Sequence, residues 1–332
     1  MVQQPNHLPA HRHVLNVSES NVQHQIYSLE SVQRLTARLL MQYVVDTFTR
    51  LGADPFTSDI KRSIAFLAIA LGTRAGSRSS EHPLRVSALA ASLMMPDQTM
   101  RRQVEYLVRS GACIQVPGAG VLISPTIEAR ALLKRLCDGI GVTFEKLLRE
   151  ARALGYVPEQ SKLVLRLSKY HPAPANTNNQ REILASVSCE LLFHILETVV
   201  GFHDNNIERA HVFHAVIAIN SRTFKDKTTA WRYASAASSP SDETRQPATI
   251  QELSELTDFP FETTRRHINT LLREGKCIRV RRKGVVVPSA MLNSPEVLEA
   301  GRALTRWFIR AVARLRDEGF DFDRLARNST SR

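Results

Sequence analysis

The chain has 332 residues, of which 43% are hydrophobic and 23% charged, with a formal net charge of +12 and a pI near 10. Those proportions exclude a largely unfolded chain and fit two domains of ordinary size. The basic excess favours an anionic partner, either nucleic acid or an acidic membrane face.

Four cysteines, Cys113, Cys137, Cys189 and Cys277, form no Cys-x-x-Cys pair, so neither a zinc knuckle nor a redox motif is expected. The first residues lack the charged-then-apolar layout of a signal peptide. The longest uninterrupted apolar run, Ile64 to Leu71, is far short of the ~20 residues of a membrane helix. A cytoplasmic, nucleoid-associated location is the expectation.

In chain order, residues 1–28 are polar and His-rich and read as a disordered tail, in which His7, His11 and His13 have no frame for a metal. A first domain is expected over 29–156. It contains the helical patterns Arg38 to Phe48 and Ser63 to Arg74, a segment Val86 to Pro125, and a further helix Ile127 to Ala153. Residues 157–184, with HPAPANTNNQ inside them, read as a linker. A second domain is expected over 185–320, with helices near Glu190 to Val200 and His211 to Arg222 and a segment Ile250 to Ser289. Residues 224–248, rich in Ser, Thr and Ala, read as a mobile loop insertion whose Trp231 and Tyr233 are expected to dock on their own domain, with a partner as the alternative. Glu296 to Glu318 is an amphipathic helix that suits either packing within the chain or a homodimer seam, and 321–332 reads as a tail.

The segments Val86 to Pro125 and Ile250 to Ser289 align without a gap. Pro96 matches Pro260, Thr99 matches Thr263, and Arg101-Arg102 matches Arg265-Arg266. Leu107, Arg109, Gly111, Cys113, Ile114, Val116 and Gly120-Val121 match Leu271, Arg273, Gly275, Cys277, Ile278, Val280 and Gly284-Val285. Two copies are too few for a solenoid, and each is long enough to bury a core.

Each copy has one local logic. Ile250, Leu253 and Leu256 line one face of a short helix, interrupted before Pro260, which is welcome at the start of the next. Ile268, Leu271 and Leu272 form the core stripe of a second helix that Gly275 ends. CIRV, RRKG and VVVP then read as two strands and a turn. Val86, Leu89, Leu93, Met100, Val104, Leu107 and Gly111, followed by CIQV-PGAG-VLIS, repeat the plan. The expected fold is mainly α with small β-hairpin wings: two tandem winged-helix domains with flanking helices.

PFETTRRHINTLLREGKCIRVRRKGVVVP resembles the recognition helix and wing of bacterial winged-helix regulators of the cyclic-AMP-receptor-like, GntR-type and DeoR-type families. The resemblance implies that the second long helix of each module lies in the major groove of double-stranded DNA. It places Glu262, Arg266, Gln98 and Arg102 at positions that read bases, while Phe261 and Asp97 stand where that family often has Arg. Thr99, Thr263, Arg101 and Arg265 suit phosphates, and Gln103, Tyr106 and His267 are expected on the same outward face. Arg279, Arg281, Arg282 and Lys283 make the second wing cationic, whereas Gln115 to Gly120 carry no charge. The second module is therefore expected to supply more of the salt-dependent affinity, and the first wing alternatively packs against protein.

Cys113 and Cys277 read as small buried side chains, and the pair His211 and His214 as packed rather than metal-binding, so no metal or cofactor is expected. With no phosphate loop, Gly-x-Ser-x-Gly or His-Glu-x-x-His motif, the expectation is not an enzyme but a sequence-specific transcription regulator of unknown effector. A plasmid or phage replication initiator on iterated repeats and a chromosome-organising scaffold are the alternatives.

Overall fold

The computed structural model describes residues 27–74, 82–168, 179–280 and 283–327. It is mainly helical, with two small antiparallel hairpins. His7, His11, His13, Arg281 and Arg282 lie outside the described residues.

Four long helices form the centre: α1 (Leu29–Gly52), α5 (Ile127–Ala153), α7 (Gln180–Val199) and α13 (Pro295–Asp317). Three of their starts are set by hydroxyl caps. Ser28, Thr126 and Ser294 each accept a free backbone N–H of the first turn, a device worth about 1 kcal/mol. Helices α1 and α7 each pack against both α5 and α13. One core, with Leu35, Tyr43, Phe144, Leu191, Phe308 and Val312 in it, runs through all four. Three buried polar contacts fix their register: Tyr43 Oη donates to Ser188 O at 3.0 Å, Thr47 and Thr143 hydroxyls meet at 2.7 Å, and Gln33 Nε2 donates to Leu298 O at 2.7 Å. The stretch Gln180–His203 is long and apolar enough to cross a membrane by length and composition, and most of it is buried in this bundle.

The apolar stripe of α13 is used here. Leu304, Phe308, Ile309, Val312 and Leu315 are all buried inside the chain.

Two helix-and-hairpin units flank the bundle. The first comprises α2 (Ile60–Arg74), α3 (Val86–Ser92), α4 (Asp97–Arg109), β1 (Cys113–Val116) and β2 (Gly120–Ile123). The short helix α6 (Lys162–Leu167) follows the end of α5, after a tight turn at Pro158–Gln160. The second unit comprises α8 (Ile207–Asn220), α10 (Ile250–Thr257), α11 (Phe261–Arg273), β3 (Ile278–Val280) and β4 (Gly284–Val286), and α9 (Lys227–Arg232) lies in the insertion between α8 and α10. After β4, α12 (Ser289–Leu292) leads into α13, and α14 (Arg324–Arg327) closes the described chain.

The units repeat each other in backbone detail. Met94 and Asp258, at matching positions between the paired helices, both take positive φ, 50° and 57°. Gly111 and Gly275 end α4 and α11 with φ of 76° and 68°, and the following Ala112 and Lys276 donate back to Leu107 O and Leu271 O at 2.9 Å. Cys113 pairs with Ile123 across the first hairpin, and Ile278 with Val286 across the second. Each hairpin gains a third partner: Leu84 bridges Val121, and Ala248 bridges Val285.

The halves are not independent. Val45 of α1 sits in the core of the second unit with Val216, Leu253, Ile268 and Leu271. Near it, Thr49 Oγ1 donates to Leu256 O at 2.9 Å, and the Phe48 ring meets His211 at 5.4 Å. At the end of α7, Gly201 lies against Met94 of the first unit, whose Sδ is 4.0 Å from where a Cβ would stand. Lys61, at the start of α2, pairs with Glu208, at the start of α8, at 2.9 Å.

Three boundary expectations are corrected. Residues 157–184 are not simply a linker, because α6 begins at a Ser161 cap with Val164 buried, and α7 already starts at Gln180. Of the expected tail 321–332, residues 324–327 are helical and Leu325 is buried. Residues 224–248 are ordered and bind the other half of the chain. Trp231 donates to Leu154 O at 2.7 Å and stacks on Tyr27 at 5.4 Å. Arg38 donates to Tyr233 O and Ala230 O, at 2.7 and 2.9 Å, and Arg34 to Ala236 O at 3.1 Å. Guanidiniums at helical spacing on α1 thus satisfy carbonyls that the insertion cannot pair internally.

Candidate nucleic-acid interface

Both α4 and α11 are sharply two-faced. Met100, Val104 and Leu107 on α4, and Thr264, Ile268 and Leu271 on α11, point into their units. The opposite faces are left to solvent, with Pro96 and Pro260 at the entry of each helix.

On α4, Gln98, Arg101 and Arg102 are exposed and Thr99 is half-buried. Arg101 Nε holds Asp97 at 2.7 Å. On α11, Glu262, Arg265 and Arg266 are exposed, Thr263 is half-buried, and Arg265 holds Glu262 at 2.7 Å. Exposed pairs one helical turn apart are worth only a few tenths of a kcal/mol, so either arginine is readily released to another anion. Arg102 and Arg266 occupy the same position in the two units, and neither has an ion pair among the described residues.

Three expected outward residues are placed differently. His267 is buried, 6% exposed, because it falls one turn from Thr264 and Leu271 on the core stripe; burial lowers its pKa, which favours the neutral ring. Gln103 is half-buried between Arg62 and Asp59: its Oε1 accepts from Arg62 at 3.2 Å and its Nε2 donates to Asp59 at 3.5 Å. Tyr106 donates to Phe56 O at 3.3 Å while the Arg62 guanidinium lies 3.5 Å over its ring. Both side chains hold α4 against the start of α2 and do not stand free on the outer face.

In the second hairpin Arg279 and Lys283 are exposed. Arg279 donates to Asn269 of α11 at 3.3 Å, tying hairpin to helix. Asn269 and Arg273 line one shallow depression with Glu262, Thr263, Arg265 and Arg266. Asn269 has no motif of its own in the sequence, although it lies three residues from Arg266 and the helical period puts both on one side. Ile114 and Ile278, at one position of the two hairpins, are exposed at 42% and 40%. The outer face of the second unit is the more cationic: Arg265, Arg266, Arg273, Arg279 and Lys283 stand against Glu262. The face of α4 sets Arg101, Arg102 and Arg109 against Asp97 and Glu105.

The remaining chemistry-bearing groups are interior. Cys113 and Cys277 are buried, and burial pushes each thiol up to about 12, far from a reactive thiolate. His203, His211 and His214 are buried, with pKa values lowered to about 2, about 3 and about 4, first by desolvation. No group of three His, Cys, Asp or Glu among the described residues is placed to hold a metal.

No protein family, curated protein or solved structure matches this chain.

Proposed function

We propose that the chain is a sequence-specific regulator that binds double-stranded DNA through two winged-helix units, with α4 and α11 in successive major grooves. The observation that carries this reading is the recurrence of one exposed arginine with no ion pair among the described residues, Arg102 and Arg266, at one position of two amphipathic helices that also share Thr99 and Thr263 at their starts. A guanidinium there bonds guanine O6 and N7 bidentately, the commonest specific base contact. Gln98 and Glu262, beside them, read adenine and cytosine respectively. Thr99, Thr263, Arg101 and Arg265 hold phosphates and set the register, and Arg279 with Lys283 adds backbone charge from the wing. Two readers braced through one shared bundle do the work of a two-fold dimer, so the site has two unlike half-sites about one helical turn apart.

Genome-wide occupancy of the tagged protein in its own host tests the proposal. Sharp peaks upstream of genes that share one bipartite motif support it. No enrichment anywhere rejects it, and a single peak on iterated origin repeats replaces regulation by replication initiation.

A further inference from the structure

A cavity of about 140 Å³ opens between α1, α8, α13 and the insertion, away from the outer faces of α4 and α11. Its wall is mostly apolar, from Met41, Phe202, Phe213, Ile217, Phe224 and Leu304. A void of this size in an apolar wall is large enough for a benzene-sized body.

The polar exceptions in the wall are unusual. Gln33, His203, His214 and Arg245 line the cavity, and all are more than nine-tenths buried. Each carries an atom with no hydrogen-bond partner among the described residues: Gln33 Oε1, His203 Nδ1, His214 Nδ1 and Arg245 Nε. Leaving such groups unmet costs about 1–3 kcal/mol each, so a wall that gathers four of them has hydrogen-bonding capacity to offer a guest. The imidazoles stay neutral here, and either can donate one N–H.

The charge of the wall selects the ligand. Arg34, Arg38 and Arg245 all line the cavity. Their recorded partners are mainly backbone carbonyls: Ala236 and Leu292 for Arg34, Tyr233 and Ala230 for Arg38, and Val287 and Pro240 for Arg245. Carbonyls satisfy the donors without cancelling the charge. Among the described residues the carboxylate paired with the three is Asp242, whose Oδ1 stands 3.8 Å from Arg245 Nε, beyond hydrogen-bond reach. Burial, and for Arg38 its two cationic neighbours, weakens their hold on protons.

We infer that this cavity binds a small carboxylic acid with a compact aromatic or branched aliphatic body, its carboxylate taken by Arg245 and a histidine N–H and its body by the apolar wall. The site is separate from the proposed DNA-binding faces, and the inference does not depend on them. Helix α1 lines the cavity with its first half and enters the core of the second unit with Val45, so one helix joins the two places.

Calorimetric titration of the full chain with benzoate, phenylacetate and 4-methylpentanoate tests this, with benzyl alcohol as the uncharged counterpart. The expected result is saturable one-to-one binding of at least one acid, and about tenfold or more weaker binding of benzyl alcohol. Ala37→Phe and, separately, Ala300→Phe fill the cavity and abolish binding while the melting temperature holds. Shifts of the His203 and His214 imidazole resonances on titration locate the site in the unaltered protein if either variant fails to fold. Failure of all three acids to bind overturns the proposal. So does equal affinity for benzyl alcohol, binding retained in a folded filling variant, or binding that leaves both imidazoles unmoved.

Discussion

Phe144 and Phe308 stand at matching positions in the two halves of the chain and meet each other edge to face, with ring centroids 6.3 Å apart. The glycine and aromatic residue that end each helix match at the same offset: Gly155 with Tyr156, and Gly319 with Phe320. Tyr156 and Phe320 both donate their backbone N–H back to the helix, to Ala151 O and Leu315 O at 2.8 and 2.9 Å. The repeat therefore continues beyond the hairpins into α5 and α13, and the chain folds as a dimer does, around the contact of two equivalent residues.

A shared core predicts shared stability. Phe144→Ala and Phe308→Ala, each removing a fully buried ring, are each expected to cost about 3–5 kcal/mol. Because Val45 and the bundle bind the units together, urea unfolding followed by circular dichroism and by Trp fluorescence gives one coincident transition that moves as a whole in either variant. Two transitions, with only one shifted, would show that the halves fold separately.

The turn before each second hairpin strand makes a second, local prediction. Gly120 and Gly284 have φ of 139° and 128°, and a Cβ at either would stand 2.2 Å from Leu84 O or 2.3 Å from Ala248 O. Those carbonyls belong to the residues that bridge the hairpins, so they cannot withdraw without breaking the third pairing. Gly120→Ala and Gly284→Ala are expected to destabilise by more than about 1–3 kcal/mol, the range for backbone strain alone. Gly111→Ala and Gly275→Ala, whose Cβ atoms meet nothing within 4 Å, should cost about 1–2 kcal/mol. Thermal melts of the four variants rank them; equal losses would mean that the close approach has no weight.

Much of this was legible in the sequence, for a physical reason. Prolines at helix entries and glycines at helix ends act within a few residues, so Pro96, Pro260, Gly111 and Gly275 mark the paired helices without any tertiary contact. The placement of Val45 and Thr49 in the opposite unit had no such signal, because α1 is apolar on several sides and its period does not say which partner covers which side. The insertion read as mobile since it lacks an apolar period; its order comes from Arg34, Arg38 and Leu154 far away in the chain. The polarity of His267 suggests an outward position, but its phase is that of Thr264 and Leu271, and the fold buries the imidazole.

If α4 and α11 read DNA, their two arginines divide the labour. Arg102→Ala and Arg266→Ala should each weaken binding to the specific site by about 1–3 kcal/mol and relax specificity in one half-site. Arg101→Ala and Arg265→Ala, which already share charge with Asp97 and Glu262, should lose less and lose it equally on all sequences. Replacing Arg281, Arg282 and Lys283 by Ala should lower the slope of log K against log salt by about 3. Fluorescence anisotropy at several salt concentrations measures all of these, and an Arg266→Ala protein with unchanged discrimination would remove α11 from the reading.

The buried imidazoles give stability a defined pH dependence. His203, His211 and His214 have folded-state pKa values of about 2, about 3 and about 4, and each titrates near ~6.5 in an unfolded chain. The unfolded state therefore binds more protons below that value. Stability is fully present above about pH 7 and falls as the pH drops, by up to about 1.4 kcal/mol per pH unit for each ring. Three rings together give up to about 4 kcal/mol per unit between pH 6 and pH 5, before most carboxylates titrate. Urea midpoints measured at intervals from pH 8 to pH 5 should show a plateau and then this descent. His211→Gln removes one proton from the balance, and because the depressed His267 adds to the same descent the slope should drop by about a quarter to a third even if the variant is less stable at every pH. An unaltered slope would mean that His211 reaches the solvent and is charged in the folded protein, contrary to its burial against Phe48 and Phe259.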